Sequence, residues 1–175
     1  MKENCKFIIK SILLMATIVF ICKEIISIDY IVGRSMEPTL KDGDITVYNR
    51  LAYIKNDVQR GDIILFETDE VEDFVVKRVI GVPGDVISFK DGYVFINNEM
   101  LDESAYIPHN VKTNSEKQFV VPEDCYFVLG DNREKSLDSR EFENPYIPRS
   151  DIQGKYMNFR ISFLYLKKPL FFWKI

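Results

Sequence analysis

The 175-residue chain is long enough for one ordinary domain plus a small appendage. Hydrophobic residues at 46% and charged residues at 29% sit near globular averages, which excludes a disordered chain or a multi-span membrane protein. A net charge of −4 removes the basic footprint of a nucleic-acid binder, and a single histidine with three scattered cysteines leaves neither a disulfide framework nor a zinc spacing, so no metal and no cofactor are expected.

Residues 1–28 are chemically apart from the rest. Lys2, Lys6, Lys10 and Lys23 outweigh Glu3 and Glu24 for a sum of +2, leaving −6 for the remainder. From Phe7 to Ile28 the chain is apolar enough to cross a ~30 Å hydrocarbon layer as a helix, with Lys10 and Lys23 snorkelling at the two ends of the core Ser11 to Cys22. A cleaved secretory signal is the competing reading, but the bulky, charged Ile21-Cys22-Lys23-Glu24 offers no small-x-small site. The expectation is a cytoplasmic stub and retained single-pass anchor over 1–28, amino terminus inside, with an extracytoplasmic domain over 29–175 at the cell membrane.

That second part reads as mostly β. Short β-branched and aromatic runs recur between turn residues, predicting strands at Tyr30–Val32, Ile45–Asn49, Asp62–Phe66, Phe74–Ile80, Val86–Phe89, Tyr93–Asn97, Phe119–Val121, Tyr126–Leu129 and Tyr156–Phe163. Asp91-Gly92 predicts a two-residue type I′ hairpin turn. Asp69–Asp73 and Ser104–Lys117 read as polar loops, and His109 as an exposed loop residue. The aromatic, lysine-bearing Ile161–Ile175 suits either a membrane interface or core packing.

Chemistry concentrates in three segments. In Gly33-Arg34-Ser35-Met36-Glu37-Pro38-Thr39-Leu40, Gly33 frees the backbone and Pro38 stiffens the exit, so Ser35 is presented on a turn, although a serine there is by itself more often a cap. In Phe74–Ile80, alternation puts Lys77 with Val75 and Val79, and Arg78 with Phe74, Val76 and Ile80. A lysine among apolar neighbours loses hydration of its charged form, which brings a neutral, proton-accepting amine into range; an edge lysine snorkelling to water is the alternative. The third segment, Gly130 to Arg140, packs hydroxyls, acids and arginines at a density that ordinary loops seldom show.

The GRSMEPTL, KRVIGVPGD and GDNREKSLDSR segments, in this order behind an N-terminal anchor, resemble bacterial type I signal peptidase, also called leader peptidase, in its short Gram-positive form. GDIILF at 61–66 resembles a strand motif of the same family. The resemblance implies a barrel-like antiparallel β domain resting on membrane lipid, with Ser35 as nucleophile and Lys77 as general base. It further implies that Ser136 orients the amine, that Asp138 pairs with Arg140, and that Asp131 pairs with Arg78. Some members of the family carry a serine where Gly33 stands, so here the oxyanion hole is expected to rest on backbone N–H groups, chiefly that of Ser35. The implied substrates are signal peptides of exported preproteins with a small residue one and three positions before the cut; Gly33, Met36 and Val75 are candidate pocket residues, and translocation machinery is a further conceivable partner. Two other readings stay open: a dedicated serine/lysine peptidase that matures a conjugation or pilus component, and a non-catalytic, membrane-tethered β-domain binding protein.

Overall fold

The computed structural model describes residues 2–162, with the side chains of residues 2–5 and 21 outside that description. Helix α1 spans Lys2–Ile25, and strands follow at β1 (Ile26–Tyr30), β2 (Asp44–Asn49), β3 (Ile63–Thr68), β4 (Val71–Gly81), β5 (Val86–Lys90), β6 (Tyr93–Ile96), β7 (Glu99–Met100), β8 (Phe119–Val120), β9 (Cys125–Leu129), β10 (Ile147–Pro148) and β11 (Ile152–Ser162). All pairings are antiparallel. They form a seven-stranded sheet ordered β1-β2-β11-β3-β4-β9-β10 and a four-stranded sheet ordered β7-β6-β5-β8, so the mostly β, antiparallel expectation holds.

Among the described residues no helix is long and apolar enough to cross a membrane. Within the expected 1–28 anchor segment, residue 1 and the side chains of residues 2–5 and 21 lie outside the description. The aromatic tail expected at a membrane or in the core lies almost wholly outside it as well, from residue 163 onward.

Three apolar clusters hold the sheets. Ile64, Phe66, Val75, Val79, Tyr126, Val128 and Ile147 of the large sheet cluster with Val58 and Phe142. Ile31, Met36, Leu40, Tyr48, Leu65 and Tyr156 form another cluster and so seat the turn that carries Ser35. Ile80, Phe127 and Leu129 from the ends of β4 and β9 join Ile87, Val94, Phe119 and Val121, which docks the small sheet onto the large one; the Phe119 and Phe127 rings lie 4.7 Å apart. At roughly 1.5–3 kcal/mol for each large side chain buried, this junction is enough to hold the two sheets together.

The Asp91-Gly92 turn has φ of 55° and 90°, as a type I′ turn requires, and joins Lys90 to its partner Tyr93. Two expectations are corrected. The first strand occupies Ile26–Tyr30 rather than Tyr30–Val32, because the Ile-rich end of the apolar segment pairs with β2, from Ile26 opposite Asn49 to Tyr30 opposite Ile45. The Asp69–Asp73 loop is only a tight turn: Val71 pairs with Thr68, so Val71, Glu72 and Asp73 already belong to β4. The short β7 and β10 carried too few residues to show a period.

Candidate active site

Ser35 follows β1 on a turn that begins where Gly33 takes φ of 100°, a conformation that side-chain-bearing residues seldom adopt. The turn is tied down on several sides. Leu40 N–H donates to Met36 O, and the N–H of Gly33 donates to the Asp42 carboxylate, both at 2.9 Å. From the other side of the fold, Asn132 donates its backbone N–H to Ser35 O at 2.9 Å and its side-chain amide to Arg34 O at 3.0 Å.

Lys77 sits in the middle of β4, opposite Ile64 of β3, and is only 4% exposed. Its Nζ lies 2.9 Å from Ser35 Oγ and donates to Val76 O at 3.2 Å. Burial lowers its pKa from the usual 10.5 to about 8; the Asp138 carboxylate pulls upward but is outweighed by desolvation. A neutral amine here uses one N–H on the Val76 carbonyl and keeps its lone pair for the serine hydroxyl. Ser35 and Lys77 open onto a cleft of about 260 Å³ that Val32, Met36, Val75 and Val76 also line. Met36 and Val75 are therefore part of the cleft wall, while Gly33 stands next to it in sequence and shapes the turn.

The third segment forms the floor behind the dyad. Arg78 grips Asp131 in a two-pronged pair at 2.8 and 2.7 Å, and Thr39 donates to the same carboxylate. Arg140 grips Asp138 at 2.8 and 2.9 Å, and Asp138 also accepts the N–H of Gly130 at 3.0 Å. Both carboxylates are buried, so each such pair is held by directed hydrogen bonds in a setting where losing one partner leaves an uncompensated charge. Gly130 permits the close fit: a Cβ there would lie 2.1 Å from Ser136 Oγ and 2.5 Å from Ser35 O.

Ser136 is buried beside this glycine, and its hydroxyl lies 3.5 Å from Leu137 O, to which it donates. Sequence reasoning also passed over Arg133, Glu103 and Tyr106. Arg133 is enclosed by Gly130 O, Glu103 and Thr113; Glu103 and Tyr106 come from the connection between β7 and β8, of which Ser104–Lys117 read as a polar loop. Only the unusual charge density around Arg133 hinted at them. His109 is exposed in that connection, as expected.

Residues 4–160 match the family model described as signal peptidase, peptidase S26. Signal peptidase IB of Staphylococcus aureus is 36% identical over 172 residues, covering 88% of this chain and 87% of the relative. Signal peptidase I P of Bacillus subtilis subsp. natto is 37% identical over 149 residues, covering 79% of this chain and 80% of the relative. A solved signal peptidase I from Enterococcus faecalis V583 is similar at 30% identity and a TM-score of 0.48, over 57% of this chain and 97% of that one. With nearly its whole length inside the family model, and with relatives above 30% identity over most of their own length, the chain belongs to the signal peptidase family of peptidase S26.

Proposed function

We propose that the chain is a serine endopeptidase that removes signal peptides from exported preproteins, with Ser35 as nucleophile and Lys77 as general base. The observation that carries this reading is the 2.9 Å approach of a buried amine to a serine hydroxyl at the edge of a cleft. A binding protein has no use for a desolvated lysine, which costs stability unless its neutral form does chemistry. That the named relatives are signal peptidases supports the choice of substrate.

The neutral Lys77 amine takes the proton of Ser35 as Oγ attacks the scissile carbonyl. The tetrahedral intermediate collapses when the ammonium returns its proton to the departing amine, leaving an acyl-enzyme. Water, deprotonated by the same amine, then clears the acyl group. The negative oxygen of each intermediate needs fixed donors. Ser35 N–H suits this role, since no acceptor among the described residues takes it, whereas Gly33 N–H is already given to Asp42. The substrate lies extended in the cleft, where Met36 and Val75 leave room for small side chains. Asp131 with Arg78 and Asp138 with Arg140 hold the walls in register, and Gly33 gives the turn its direction.

The same reading places the enzyme on a membrane through α1. At 24 residues and 1.5 Å per residue the helix is about 36 Å long, and Phe7, Ile12, Leu13, Leu14, Met15 and Phe20 are all more than 60% exposed, apolar surface that water disfavours. Purified protein incubated with a preprotein should release the mature chain, and Ser35→Ala should not; no cleavage by the wild type would refute the reading. Protease added to intact protoplasts should digest the β domain and spare the amino terminus; a protected β domain would refute the topology.

A further inference from the structure

The connection from β7 to β8 sends Glu103 and Tyr106 back onto the large sheet, where they engage two arginines at once. The Tyr106 ring lies 4.0 Å from the Arg78 guanidinium carbon, and its hydroxyl donates to Glu103 Oε1 at 2.9 Å. Glu103 accepts from both terminal nitrogens of Arg133, whose side chain is fully enclosed. Arg133 in turn donates to Gly130 O at 3.0 Å, and its own carbonyl accepts from Arg140 at 2.8 Å.

Each contact leads to the dyad within a few bonds. Arg78 is the residue after Lys77, and it is pinned further by donating to Gly61 O at 2.9 Å. Its partner Asp131 accepts from Thr39 on the Ser35 turn, and the next residue, Asn132, donates to Ser35 O. The hydroxyl and the amine thus sit on different elements, and Glu103 with Tyr106 joins the anchors of both.

We propose that Glu103 and Tyr106 form a positioning strap through which the small sheet sets the distance between Ser35 and Lys77. The strap touches neither substrate nor the reacting atoms; it acts through Arg78 and Arg133. This rests on the dyad reading above and adds to it a role for the small sheet, which would otherwise only cover the core. The Tyr106 ring, 4.0 Å from the Arg78 guanidinium carbon, holds that side of the Arg78 pair in place, and a misplacement of about 1 Å at a catalytic group is worth up to about a hundredfold in rate.

Tyr106→Leu and Tyr106→Phe separate this role from simple packing. In the full-length enzyme, Tyr106→Leu should lower kcat on a preprotein about tenfold while KM stays within about twofold, and should slow the reaction of Ser35 with a serine-directed fluorophosphonate about equally. Tyr106→Phe keeps the ring over Arg78 but cuts the hydroxyl link to Glu103, and should fall between wild type and Tyr106→Leu in both rates. A Tyr106→Leu protein that is folded by circular dichroism and matches wild type in both rates overturns the strap, and so does one whose loss appears only in KM or is not even partly recovered by phenylalanine. A wild-type protein that reacts at Ser35 but cleaves no preprotein would instead overturn the choice of substrate, and the fluorophosphonate rates would still decide the strap.

Discussion

Replacing Lys77 by arginine keeps the positive charge and removes the base. The structure sets the magnitude. Burial brings the lysine from 10.5 to about 8, which favours the neutral amine by about 3 kcal/mol, so about a tenth of the enzyme carries an active base at pH 7 and most of it above pH 9. Wild-type kcat should accordingly climb through about pH 8 and level off. Arginine does not deprotonate in a protein, and its planar guanidinium does not fit a site 4% exposed between Val76 O and Ser35 Oγ. Lys77→Arg should therefore lose at least about a thousandfold in kcat, Ser35→Ala should lose as much, and the double variant little more, because the two residues act as one unit. The assay is preprotein cleavage followed from pH 6 to 10, with folding checked by circular dichroism. A folded Lys77→Arg enzyme working at the wild-type rate, or a wild-type profile flat across pH 8, would refute the reasoning.

The same lysine makes stability depend on pH. Below about pH 8 the folded protein must hold a buried ammonium, so Lys77→Met should raise the unfolding free energy by up to about 3 kcal/mol at pH 6, with the gain fading between pH 8 and 10.5; thermal melts at pH 6 and pH 10 check it. Gly130→Ala should cost both activity and about 2 kcal/mol or more of stability, since its methyl group meets Ser136 Oγ and Ser35 O; a fully active, stable variant would contradict the packing. Asp131→Asn leaves the Arg78 guanidinium without its counter-charge and should destabilise the fold by about 3–5 kcal/mol in urea unfolding. A large aromatic just before the cleavage site of a substrate should abolish processing, while one two positions before is tolerated; equal cleavage of both series would show that the cleft is assigned wrongly.

Strands whose apolar side chains alternate over five or more residues could be read from the sequence, as β2, β5 and the end of β4 attest. Where β1 begins could not, because Ile25, Ile26 and Ile28 suit a helix end as well as a strand, and pairing with β2 decides between them. For the site, the three motifs located Ser35, Lys77 and both carboxylate pairs, since each chemistry sits beside a strand end or inside a strand. Glu103 and Tyr106 escaped because their role depends on the docking of one sheet onto the other through Phe119, Phe127 and their neighbours, which no local period encodes.

Ser136 shows the converse. The resemblance implies that it orients the lysine amine; the structure buries it, with its hydroxyl 3.5 Å from Leu137 O. The amine meanwhile has two partners in place, Ser35 Oγ and Val76 O. What the position needs is smallness: Gly130 and Ser136 approach each other more closely than any larger pair allows, and that approach lets the Gly130 N–H reach Asp138 while Asn132 reaches Ser35 O. The density of small and charged residues between Gly130 and Arg140 is thus a packing requirement as much as a chemical one, because two buried carboxylate pairs and the Ser35 turn converge on the same few ångströms of backbone.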